Sequence, residues 1–274
     1  MKILIPTDFS ENAAHAIKYA SVVAKALGAE VKLLCVCTPP LSRNDVAYEL
    51  IEAEMSKAEK AAHKELLKIS GELLDAFGVP CEKEVRTGST VYEIINAASE
   101  SKTDLIVMGT KGASGIGGFL FGTNTGEVIE ATPCPVLAVP ADAPIALPKK
   151  VVFATNFYDS DIQTLKELST LVNKLNAELI LLHVSKEKVK SERDTIEAYS
   201  KTVAVETGHQ EPFYYVLQHD DTQKGINLFV DSVGADLIAL STRKRKEFEK
   251  LFDRSLTKKM AYQARLPLLA FHTT

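Results

Sequence analysis

Gly109-Thr110-Lys111-Gly112, then nine residues, then Gly122-Thr123-Asn124-Thr125 is the stretch whose residue types and spacing could do chemistry. Asp104 to Met108, just ahead of it, is an apolar run that reads as a buried strand; Gly126 to Ala131, just behind, has helical character. A strand, a glycine-rich loop and a helix start are the parts of a phosphate cradle. Glycines let the backbone approach the anion, and the N–H groups and positive dipole end of the helix hold it. Lys111 is the cation inside this loop and the natural partner for terminal phosphates. Thr123 and Thr125 offer hydroxyls at the helix start. Spacing alone leaves a second reading open, in which the glycines form a lid with no ligand.

The elements that must position this loop follow from periodicity. Lys2 to Thr7 is a β run; Ser10 is a good N-cap for a helix carrying Ala13, Ala16, Ile17, Ala20, Val23, Ala24 and Leu27, with Gly28 at its end. Val31 to Cys37 reads as a strand, 44–77 as a long helix, Cys81 to Arg86 as a strand, Thr90 to Glu100 as a helix and Val136 to Val139 as the last strand. This alternation predicts an α/β, doubly wound fold with a parallel sheet and helices on both faces. Ligands of such sheets sit beyond the carboxyl ends of the strands, at a topological switch point. If the first and fourth strands are neighbours, Asp8 faces the glycine loop. A carboxylate there suits hydroxyls and amines of a ribose or base, or a metal shared with phosphate oxygens.

The pattern then restarts. Lys150 to Phe157 mirrors Lys2 to Phe9, and Ala177 to Val184 mirrors Ala29 to Val36, both at an offset of 148. Ala235 to Leu240 mirrors Thr103 to Met108, and Leu266 to Phe271 mirrors Cys134 to Val139, both at 132. The halves are an internal repeat, the second 16 residues shorter between its second and fourth strands, with the second helix (188–207) as the expected place. The reading is a first domain over 1–140, a proline- and alanine-rich linker over 141–149, and a second domain over 150–274. The repeat also serves as an internal control. Gly109, Gly112 and Gly122 become Ser241, Lys244 and Arg254; Thr123 becomes Ser255; Asp8 becomes Asn156 and Pro6 becomes Ala154. The second half is therefore expected to keep the fold and to have lost the cradle.

Composition narrows the function. The net charge of −4 and the absence of aromatics interleaved with Arg243-Lys244-Arg245-Lys246 argue against a nucleic-acid partner. No run of about 18 apolar residues is present, so no membrane span is expected. The start of the chain turns polar too soon for a signal peptide, and a cytoplasmic protein is expected. Cys35, Cys37, Cys81 and Cys134 form no Cys-x-x-Cys pair and read as reduced, buried thiols; no metal site is expected. His15, His63 and His183 read as structural or surface residues. Walker A fails, because Gly112 and Gly117 are followed by Gly118-Phe119; Gly-x-Gly-x-x-Gly fails at Leu120; no Gly-x-Ser-x-Gly is present.

Ile3-Leu4-Ile5-Pro6-Thr7-Asp8-Phe9-Ser10, Leu33-Leu34-Cys35-Val36, the run Asp104 to Gly109, Gly-x2-Gly-x9-Gly-Thr, and Pro133-Cys134-Pro135-Val136-Leu137 together resemble the universal stress protein family. The resemblance covers both halves, as a tandem form. It implies two tandem doubly wound five-stranded parallel sheets in the order 3-2-1-4-5, Rossmann-like and similar to the adenine-nucleotide α-hydrolase folds. It further implies an ATP-binding stress-response protein with one adenine nucleotide in the first half and no dedicated catalysis. Pro6, Thr7 and Asp8 would border adenine and ribose, and Val36 would meet the adenine edge through its backbone. Met108, Gly109, Lys111, Gly112, Gly122, Thr123, Asn124 and Thr125 would surround ribose and phosphates, with Mg²⁺ or Mn²⁺ carried by the phosphates. Pairing through the last strands, Val136–Val139 and Leu268–Phe271, would give a pseudo-dimer within one chain and leaves a homodimer open. The competing readings are a non-nucleotide interaction module that presents the helix at 44–77 to a partner, and a weak ATP-hydrolysing enzyme.

Overall fold

Ile3, Leu4 and Ile5 are consecutive and all buried in strand β1 (Lys2–Pro6). Side chains alternate between the faces of a strand, so burial of three in a row requires cover on both faces. The computed structural model describes residues 1–39, 48–110, 123–157, 160–186, 193–207, 213–243 and 266–273. They form two compact units, Met1–Ile145 and Ala146–Thr274.

In the first unit β1 is followed by α1 (Glu11–Leu27), β2 (Glu30–Cys37), α2 (Tyr48–Phe77), β3 (Cys81–Thr87), α3 (Thr90–Glu100), β4 (Leu105–Gly109), α4 (Thr123–Ala131) and β5 (Val136–Val139). The strands are parallel in the order β3-β2-β1-β4-β5. Helix α1 packs on α2 and α3 packs on α4, which supplies the two covering layers. Small buried residues on α1 (Ala13, Ala16, Ala20, Ala24) let it lie close on β1 and β4. The Ser10 side chain accepts from Ala13 N at 3.2 Å, and Gly28 closes the helix in the left-handed region at φ 59°.

The second unit runs β6 (Lys150–Ala154), α5 (Ser160–Leu175), β7 (Glu178–Ser185), α6 (Arg193–Thr207), β8 (Phe213–Gln218), α7 (Thr222–Val233), β9 (Leu237–Arg243) and β10 (Leu268–Thr273). Its order, β8-β7-β6-β9-β10, repeats that of the first. The offset is 148 from β2 to β7 and 132 from β3 to β8, so the shortening lies between the second and third strands. Helix α6 has 15 residues where α2 has 30. Among the described residues no helix is long and apolar enough to cross a membrane.

Two elements differ from the sequence expectation. Helix α4 begins at Thr123 rather than Gly126. Thr-Asn-Thr-Gly has poor helix propensity, and packing supplies what propensity does not: Val128 and Ile129 are buried and Thr125 is tied to β4. Helix α2 is described from Tyr48, and 44–47 lie outside the described residues, as do 188–192 ahead of α6. Part of the proline- and alanine-rich stretch docks on the first unit: Ala143 is 2% exposed and His15 Nε2 donates to its carbonyl at 2.8 Å. Alanine and proline suit a linker, but they are also apolar enough to pack.

The outer strand β3 carries an ion network. Lys32 Nζ lies 3.0 Å from Glu84, Arg86 Nε 2.6 Å from Glu84, and Arg86 Nη2 2.6 Å from Glu100. Burial alone would push the Glu84 carboxyl up; hydrogen bonds from Lys32 and Arg86 outweigh it and hold the group below its ordinary value. The resulting stabilisation is complete above the unfolded glutamate value of about 4.3 and is lost as pH falls through the depressed one. The denaturant midpoint of the first unit is therefore expected to fall on acidification from about pH 6 to about pH 3, and to fall less in Lys32→Met. Equal losses in both proteins would show that Glu84 is not the group responsible.

Candidate functional site

From β1 the chain builds outward through β2 and β3, then returns to the other side of β1 as β4. The β1–β4 boundary is thus the switch point, where the connections leave a crevice beyond the strand ends. Ile3 pairs with Leu105 and Leu4 with Ile106, and the same register continued brings Thr7 beside Gly109. The two sequence segments singled out for chemistry, ending in Asp8 and opening at Gly109, meet at this corner.

The turn after β1 is held by its own side chains. Thr7 N donates to Leu34 O at 2.8 Å, Phe9 N donates to the Thr7 hydroxyl at 3.1 Å, and Ser10 N donates to Asp8 Oδ1 at 3.1 Å. These bonds keep Phe9 at φ 62°, a left-handed conformation that a bulky residue adopts only under constraint. Thr7 is buried; Asp8 is exposed at the crevice.

Gly109 ends β4 under a steric limit. A Cβ there would lie 2.9 Å from the Asn12 carbonyl oxygen, in the first turn of α1. Its own carbonyl accepts from the Thr125 hydroxyl at 2.8 Å, which fixes the first turn of α4 to the end of β4. The two ends of the glycine loop are thereby pinned together. Thr125 is 3% exposed, so its hydroxyl works as a positioning bond here. Asn124 is exposed on the same turn, and Thr123 begins the helix. Lys111, Gly112 and Gly122 lie outside the described residues.

The remaining residues line the strand ends. Pro6 pairs with Leu34 and is buried; Met108 is 7% exposed and belongs to the core; Val36, half-buried, pairs with Arg86. Cys35 lies within reach of the Asp8 charge. Burial above all, then Cys37 and Asp8, pushes its thiol up to about 12, which makes it inert at neutral pH. Burial likewise pushes the Cys81 thiol up to about 11. Among the described residues no group of three His, Cys, Asp or Glu side chains could hold a metal ion.

The second unit builds the same corner differently. Thr155 N donates to Leu182 O at 2.9 Å, Phe157 N donates to the Thr155 hydroxyl at 2.9 Å, and Phe157 stands at φ 58°. The turn is therefore common to both copies. Ser241, at the position of Gly109, donates to Asp161 Oδ1 at 2.6 Å, and Thr155 donates to Asp161 Oδ2 at 2.7 Å. Asp161 is 2% exposed and stands where the first unit has Ala13. Above it, the Phe157 ring packs at 4.8 Å from His183 and 5.1 Å from Tyr199, and His183 Nδ1 donates to the Thr155 carbonyl at 2.9 Å. Lys244, Arg254 and Ser255 lie outside the described residues. Sequence reasoning found the Gly109 to Ser241 change but missed Asp161. The 148 offset that pairs Asp8 with Asn156 also pairs Ala13 with Asp161. A small apolar residue replaced by an acidic one on a buried helix face was the available signal.

Comparison with known proteins places this geometry. The model of the universal stress protein family matches residues 1–140 and again 148–272. A universal stress protein of Methanocaldococcus jannaschii is 36% identical over 141 residues, 50% of this chain and 81% of the relative. One from Thermus aquaticus is 33% identical over 138 residues, 50% of this chain and 96% of the relative. The crystal structure of a universal stress protein from Archaeoglobus fulgidus superposes with a TM-score of 0.78 at 20% identity, covering 99% of this chain and 98% of that one; it shares the fold. The curated relatives each correspond to half of the chain, whereas the two family matches together span nearly all of it. The chain belongs to the universal stress protein family and carries the family's fold twice in tandem.

Proposed function

We propose that this protein binds one adenine nucleotide per chain, ATP being the expected ligand, in the β1–β4 crevice of the first unit, and that the second unit binds none. The observation that carries this reading is the fate of one proton. Thr7 and Thr155 hold the same turn through the same hydroxyl oxygen. Thr155 passes its hydroxyl hydrogen to Asp161; Thr7 has Ala13 at that place and, among the described residues, no acceptor. A ribose or phosphate oxygen entering the crevice can accept it. Asp8, exposed beside it, can take a ribose hydroxyl, and Lys111 carries the charge that terminal phosphates need. The spacing Gly-x2-Gly-x9-Gly-Thr supports a phosphate cradle closed at its far end by the Thr125–Gly109 bond. Mg²⁺ or Mn²⁺ would bring most of its oxygens from the phosphates and water, since the described corner offers Asp8 as its one carboxyl.

In the second unit Asp161 accepts the Thr155 hydroxyl hydrogen, the counterpart of the one that Thr7 leaves available in the first. Ser241, Thr155 and Asp161 satisfy one another, and an acidic group under the strand ends disfavours phosphate. The reading assigns the chain a role as a nucleotide-responsive stress protein with a binding half and a structural half, without dedicated catalysis.

Equilibrium binding of labelled ATP with Mg²⁺ tests this. One nucleotide per chain is expected, and Gly122→Val is expected to abolish binding while the thermal melt stays close to that of the parent. Two nucleotides per chain would refute the assignment of the second half. No bound nucleotide and no thermal shift would favour an interaction module instead, and ATP turnover that disappears in Asp8→Asn would make the protein an enzyme. Asp161→Ala removes the acceptor of the buried Thr155 hydroxyl and the half-buried Ser241 hydroxyl. It is expected to cost the second unit about 1–3 kcal/mol in a denaturant titration while leaving ATP affinity unchanged.

A further inference from the structure

Strands β3 and β8 hold the same place in the two sheets, each outermost among the described strands of its unit. Their sequences manage that position in opposite ways. Strand β3, Cys-Glu-Lys-Glu-Val-Arg-Thr, carries four charged residues, and Glu82, Glu84 and Arg86 are ion-paired with Lys32, Glu93 and Glu100. Charges of this kind keep an edge from pairing with another chain. Strand β8, Phe-Tyr-Tyr-Val-Leu-Gln, carries none. Phe213, Tyr214 and Tyr215 are 62%, 40% and 46% exposed. Being consecutive, they leave both faces of the edge apolar.

We propose that β8 is the docking edge for a second copy of this chain, joined antiparallel to its own β8 across a twofold axis. The sequence of the strand selects this occupant. A twofold axis normal to the sheet pairs residues of one face with one another. Centred on Tyr215, it sets Phe213 against Leu217, Tyr214 against Val216 and Tyr215 against its own copy. Each pair is aromatic with aliphatic or aromatic with aromatic, the combinations that stabilise antiparallel ladders. No like charges meet, as they would if a charged edge paired with itself. The edge offers no charge that would select a foreign acidic or basic segment. The Tyr215 ring already rests 5.1 Å from Phe229 of α7, so little further ordering is required of it. A short strand pair lies at the low end of specific interfaces, and association is expected to appear only as protein concentration rises.

Sedimentation velocity of the full chain over a concentration series reads this directly. The weight-average mass is expected to rise toward two chains. Tyr214→Lys is expected to hold it at one, and Tyr214→Lys combined with Val216→Glu to restore it, because opposite charges then face each other across the axis. A mass of one chain at every concentration overturns the proposal. So does a dimer that Tyr214→Lys leaves unchanged while circular dichroism shows it folded. Oxidative cross-linking fixes the register. Tyr215→Cys is expected to yield a covalent dimer beyond the wild-type background. Phe213→Cys is not, since its two copies would stand about 14 Å apart along the ladder. Cross-linking of Phe213→Cys but not Tyr215→Cys would overturn the pairing.

Discussion

The first turn of α1 passes so close to the end of β4 that a single Cβ decides how the corner is built. At Gly109 no Cβ is present, and the Asn12 carbonyl oxygen would lie 2.9 Å from one. Real Cβ contacts of that kind force a shift in the backbone, so the position admits a side chain only if the helix start is rebuilt around it. In the second unit the side chain at that position, Ser241, donates to Asp161, which also accepts from Thr155. Among the described residues this approach is made differently in the two halves. The glycine opening the loop thus serves packing first. The proposed use for a phosphate would be a second consequence of the same missing side chain.

The two corners also divide stability differently. In the second unit Thr155, Ser241 and Asp161 are hydrogen-bonded to one another, and Phe157 of the same turn packs on His183 and Tyr199. In the first unit a threonine hydroxyl and a carboxyl are held at the rim, with their geometry fixed by the turn beneath. A ligand that binds only the folded state adds stability in proportion to its saturation. Under the proposed reading the first unit gains from that linkage, whereas the second unit has internal bonds at the same corner.

Much of this architecture was legible in the residues. Apolar runs flanked by helical spacing gave the parallel order of elements, Ser10 and Gly28 marked the ends of α1, and two constant offsets exposed the repeat. What stayed hidden depended on contacts across the fold. Asp161 looks like an ordinary first-turn acid until its helix is placed against Ser241 and Thr155. Ala143 sits in a stretch with linker composition, and only the His15 bond shows that it is docked. The early start of α4 runs against local propensity, because tertiary packing outweighs a few tenths of a kcal/mol per residue. The exposed aromatics of β8 read as an ordinary apolar strand until its edge position is known.

Phe9 and Phe157 both stand in the left-handed region, at φ 62° and 58°. For a bulky residue that geometry costs roughly 1–2 kcal/mol, and neither copy has traded it for glycine or asparagine. The two corners share this strain although one has Ala13 and Gly109 where the other has Asp161 and Ser241, so it does not depend on that exchange. It belongs to the frame that the two repeats have in common. The repeats differ instead at the neighbours of this frame, at positions 13 and 161 and at 109 and 241. Under the proposed reading, two exchanges on a shared frame separate a corner that can take a ligand's oxygen from one that satisfies its own hydroxyls.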